Sequence, residues 1–73
     1  MSSRIYELQG YAIALPHVML VSAVFQADQQ EGWQFNLRMN GGVRLPFKYP
    51  DRTEAAVARE LLLKALKEYS AAD

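Results

Sequence analysis

The side chains most suited to chemistry in this chain are His17, its only histidine, and Ser22, five residues further on in the stretch His17-Val-Met-Leu-Val-Ser-Ala-Val-Phe-Gln-Ala27. A serine nucleophile needs the imidazole within hydrogen-bond reach. That stretch reads as a strand, where residues five apart point to opposite faces, so the pair is expected to be structural. Metal chemistry asks for three or four convergent ligands, and His17, Asp28 and Glu31 follow no recognised ligand spacing. The chain has no cysteine, which excludes a thiolate metal site, a thiol nucleophile and a disulfide. Asn40-Gly41-Gly42 is short of a phosphate-binding loop, because it joins two strand patterns and not a strand to a helix. Asp51 and Glu54 are spaced as the two halves of a helix capping box, which accounts for both acids without a catalytic role. The expectation is therefore a non-enzyme with no catalytic residue, no bound metal and no cofactor.

Two other groups of residues point to binding. The first is basic. Trp33-Gln-Phe-Asn-Leu-Arg-Met39 and Val43-Arg-Leu-Pro-Phe-Lys-Tyr49 are apolar at odd positions and mostly polar at even ones, the period of half-buried strands. The odd residues can all face inward only across an odd-length loop, and the three residues Asn40-Gly41-Gly42 supply one. That register sets Met39 against Val43, Leu37 against Leu45, Phe35 against Phe47 and Trp33 against Tyr49. It also sets Arg38 against Arg44 on the solvent face, with Lys48 following on the same side. Like charges across a strand pair are unfavourable, so an anionic partner would relieve them. Pro46, without a backbone donor, marks the second strand as an edge.

The second group is apolar. If Ala27 pairs with Trp33, then Met19, Val21, Ala23 and Phe25 join the inner face, and Val18, Leu20 and Val24 point outward beside Gln34, Asn36 and Arg38. An apolar centre with a polar border is the usual anatomy of an interface. An alternative cover for it is the chain's own N-terminal part, where Arg4–Leu8 and Tyr11–Leu15 are strand candidates either side of Gln9-Gly10.

These residues need a small scaffold to hold them. Seventy-three residues make a single domain, 1–73, near the size at which only about 60% of the unfolded surface is buried. Half of the residues are hydrophobic, too many for a disordered chain. From Asp51 the apolar period lengthens to that of a helix. Ala55, Ala58, Leu61, Leu62, Ala65, Leu66 and Tyr69 form one stripe; Arg59, Glu60, Lys64, Lys67 and Glu68 lie opposite, and Leu63 points away from the stripe. The fold class expected is α+β: an antiparallel β-meander of about four strands with one C-terminal α-helix packed across one face. This order of strands followed by one helix resembles that of the single-stranded nucleic-acid-binding repeats of the PUR type, and that of small bacterial or phage proteins. The resemblance covers most of the chain, rests on element order and not on a motif, and implies nucleic acid as one partner class.

Eight acids balance eight bases, so no global field draws a polyanion, although a local patch would. The N-terminal residues lack the order of a signal peptide, and no run approaches the roughly 20 apolar residues of a membrane span. A cytoplasmic protein is expected. Its leading function is a small protein-interaction module working through Val18, Leu20, Val24, Gln34, Asn36 and Arg38, with a homodimer, an adaptor or an inhibitor of bacterial or phage type as its forms. The alternative is nucleic-acid binding through Arg38, Arg44 and Lys48.

Overall fold

The computed structural model describes residues 4–26 and 32–72. Within them the fold is α+β, with two antiparallel sheets and one C-terminal helix. A hairpin of β1 (Ile5–Leu8) and β2 (Tyr11–Ala14) forms the smaller sheet. Its two-residue turn places Gln9 and Gly10 at φ 51° and 82°, the left-handed pair whose twist matches that of the flanking strands. A single 3-10 turn over Leu15–His17 leads into the larger sheet, ordered β3 (Val18–Val21), β4 (Trp33–Met39), β5 (Arg44–Tyr49). The expected four-strand meander is thus five strands in two sheets.

The β4–β5 register is the one the alternating pattern requires. Trp33 faces Tyr49, Phe35 faces Phe47, Leu37 faces Leu45 and Arg38 faces Arg44. Across the three-residue loop, the Met39 amide donates to the Val43 carbonyl at 2.8 Å. The odd residues make the inner face. Phe35 and Phe47 are fully buried with ring centroids 5.7 Å apart, and Tyr49 stacks on Phe35 at 6.1 Å.

Against β4 and β5 lies α1 (Arg52–Ala72). Asp51 caps it, its Oδ1 accepting the Glu54 amide at 2.8 Å. Ala55 and Leu62 are completely buried, and Ala58, Ala65, Leu66 and Tyr69 pack round the same core. Leu61 departs from the stripe expected of it. It is 52% exposed, because it sits on the flank of α1 that turns toward the hairpin and not toward the sheet. Leu63 is half-buried.

The hairpin completes the core from the same side as the helix. In its register Tyr6 and Leu8 share one face with Ile13 and Tyr11. Ile13 and Leu15 belong to the buried core, Tyr11 meets Phe47 edge-on at 5.8 Å, and Gln9 Nε2 donates to the Lys48 carbonyl at 2.8 Å. The N-terminal segment therefore packs on the inner side of the large sheet.

The long apolar stretch departs furthest from expectation. It is a regular strand only over Val18–Val21, and its register slips: Val18 faces Met39, but Leu20 faces Arg38 and Val21 faces Leu37, with a bulge at Met19. Beyond the strand, Phe25 exchanges two backbone hydrogen bonds of 2.8 Å with Gln34. The pairing of Ala27 with Trp33 lies outside the described residues. Each slip breaks the alternation of faces. Val18, Val21 and Val24 turn inward onto the core, and Met19, Leu20, Ala23 and Phe25 are left exposed.

Candidate functional site

The outer face of the large sheet is built from the even positions of β4 and β5 and what β3 sets beside them. Cross-strand partners point to the same side, so Leu20 stands next to Arg38 and Arg38 next to Arg44. Asn36 is opposite Pro46, and Gln34 lies between Lys48 on one side and Phe25 on the other. Of the residues expected to form an outward apolar patch, Leu20 is there, 48% exposed. Val18 and Val24 are not: the bulged register turns both toward the core. The residue that alternation missed is Phe25, 36% exposed on the outer face. No residue-type signal identifies it, since its side follows from where the slips fall.

Gln34 and Asn36 hold this face in shape. Gln34 is only 8% exposed and its Nε2 donates to Asn36 Oδ1 at 3.0 Å. Ser22 ties the irregular segment to β4: its amide donates to the Asn36 carbonyl at 2.9 Å, and its Oγ accepts the Asn36 amide at 2.7 Å. From the helix, Arg59 Nε donates to the Ser22 carbonyl at 2.8 Å. Ser22 is thus engaged in structure on every side. His17 sits exposed at the end of the 3-10 turn, with Nδ1 3.4 Å from Asn40 Nδ2.

Among the described residues, the charges on the face are of one sign. Arg38, Arg44 and Lys48 are all exposed, and β3, β4 and β5 contain no acidic residue. The single ion pair among the described residues, Arg59 with Glu60 at 3.6 Å, is on the helix. Acids within the described segments occur on β1 and at Asp51, Glu54, Glu60 and Glu68, all away from this face. Charges of both signs are mixed on α1, whereas the described part of this face carries cations alone. Three cations border two apolar side chains over the sheet, an arrangement able to hold an anionic surface.

No family model, curated protein or solved structure matches this chain. No described helix is long and apolar enough to cross a membrane, and no group of three or more metal-ligating side chains converges among the described residues.

Proposed function

We propose that the protein is a non-enzymatic interaction module whose outer sheet face binds an acidic protein surface. The observation that carries this reading is the direct pairing of Arg38 with Arg44, with Lys48 on the same face and no acid on its three strands. Two guanidinium groups held opposite each other are mutually repulsive, and carboxylates of a partner convert that repulsion into bidentate hydrogen bonds. Leu20 and Phe25 supply the apolar centre of the contact, and Asn36 its polar border. A two-fold contact through this face would set Arg38, Arg44 and Lys48 against their own copies, so the partner is a different molecule. Adaptors and inhibitors of this size fit that description.

Nucleic acid is the second reading, favoured by Phe25 as an exposed ring on the basic face. Three phosphate contacts to a single strand would give log K a slope of about −2 against log salt. Titration of the labelled protein with an Asp/Glu-Leu repeat peptide and with a single-stranded oligonucleotide separates the two. The expected result is saturable shifts at Leu20, Phe25, Arg38 and Arg44 with the peptide, removed by Arg38→Glu. Binding of the oligonucleotide alone transfers the face to nucleic acid. Concentration-dependent dimers in sedimentation that Leu20→Asp dissolves would replace the acidic partner by a second copy.

A further inference from the structure

Besides an apolar groove of about 500 Å³ between β1 and α1, walled by Leu8, Val57 and Leu61, the fold leaves the basic sheet face open. In the groove no group selects an occupant, whereas the like charges on the face narrow what a partner brings. Hydrogen-bonded and non-hydrogen-bonded rungs alternate along an antiparallel pair, and side chains stand closer in the second kind. The Met39 amide reaches the Val43 carbonyl, so the next rung, Arg38–Arg44, is of the non-hydrogen-bonded kind, as is Asn36–Pro46, where proline has no amide to give. The Cα atoms of the two arginines are thus about 4.5 Å apart.

Both arginines are exposed, and neither guanidinium makes a hydrogen bond, ion pair or ring contact among the described residues. Lys48 lies four residues along β5 from Arg44, about 13 Å away, so the arginine pair is a centre of its own. It concentrates two positive charges and two donor forks in one place. Two carboxylates of a partner answer it only if they are held as close together as the arginines, at the same repulsive cost. A phosphomonoester carries nearly two negative charges on the oxygens of one phosphorus atom, so each guanidinium can dock on its own edge of a single group. Leu20 beside Arg38 and the exposed Pro46 in the next rung offer apolar contact to the chain that bears it.

We infer that the acidic group this face receives is a phosphorylated side chain of its protein partner, the phosphate held between the Arg38 and Arg44 guanidiniums, an assignment that rests on the acidic-partner reading above and narrows it.

The probes are three capped peptides, alike but for one position between leucines that is phosphoserine, glutamate or serine, each titrated into the labelled full chain. Saturable amide shifts at Leu20, Arg38 and Arg44 are expected, with the phosphoserine peptide binding about tenfold more tightly than the glutamate one. Arg44→Gln, at an exposed edge position, should bring the two peptides near parity; a preference that survives it would show that the pair does not hold the phosphate. If phosphoserine has no advantage over glutamate in the unaltered protein while the Asp/Glu-Leu repeat peptide still binds, this assignment falls and the acidic-partner reading stands. If neither binds, both fall. Inorganic phosphate that binds as tightly as the phosphopeptide would give the pair to a free anion, and a single-stranded oligonucleotide that binds more tightly would give it to a phosphodiester backbone; either overturns a phosphate carried by a protein.

Discussion

Tyr49 shows how one side chain reports its surroundings. Desolvation by burial is the main reason its phenol is raised above the ordinary value of 10.0, with Tyr6 and Glu54 adding to the effect and Gln9 opposing it. A group whose folded value is raised binds its proton more tightly in the native state than in the unfolded one. Its contribution is therefore fully present below pH about 10, where both states are protonated, and is lost as pH rises through the folded value. Tyr49→Phe removes this dependence. Urea midpoints from neutral pH to the alkaline limit should fall more steeply for the natural protein than for the variant; parallel curves would mean that the phenol is not held above its usual range. At neutral pH the variant should be at least as stable as the natural protein, because it deletes a buried hydroxyl that has no partner to lose.

Among the elements, α1 was the most legible in the sequence and β3 the least. The helix announces itself through Asp51, through Glu54 three residues on, and through a stripe whose Ala55 and Leu62 are indeed the buried contacts. Replacing Asp51 by Ala should cost about 1 kcal/mol, read from urea unfolding followed by circular dichroism, whereas Asp51→Asn keeps the acceptor and should cost only a few tenths. Equal losses would show that the charge and not the cap matters. The β4–β5 hairpin was legible for a similar reason, since alternation and an odd loop leave one register that buries Phe35 and Phe47 and exposes Arg38 and Arg44. In β3, apolar residues on both parities gave alternation nothing to discriminate. The bulge at Met19 and the later slip to Phe25–Gln34 moved Val18 and Val24 inward and Phe25 outward. A bulge is chosen by how a strand fits its neighbour, and no composition signal in Val-Met-Leu-Val marks it.

For the whole molecule, the question is how so short a chain sustains one core while leaving a basic face and an apolar groove open. The core gathers a few buried side chains: Ile13 from β2, Leu15 from the 3-10 turn, Phe35 and Leu37 from β4, Phe47 from β5 and Leu62 from α1, while β1 and β3 add only partly buried ones. In a domain near the lower size limit, each of these is a large share of total stability. Leu62→Ala should cost about 2–5 kcal/mol, enough to leave a substantial unfolded fraction at ambient temperature by circular dichroism. Leu61→Ala, one residue away on the exposed flank, should cost far less. Similar losses at both positions would contradict the division of α1 into a buried stripe and a groove wall.

Local pattern was sufficient for the class of the fold, the helix with its cap, the hairpin register and the cations it places side by side, because each depends on neighbours in sequence or on a loop of known parity. The separation of the N-terminal hairpin into its own sheet, its position on the inner side, the exposure of Leu61 and the inward turn of Val18 and Val24 came only with the tertiary structure. Each of these is a choice among surfaces of similar apolarity, and such a choice is decided by shape and packing density, which no one-dimensional pattern carries.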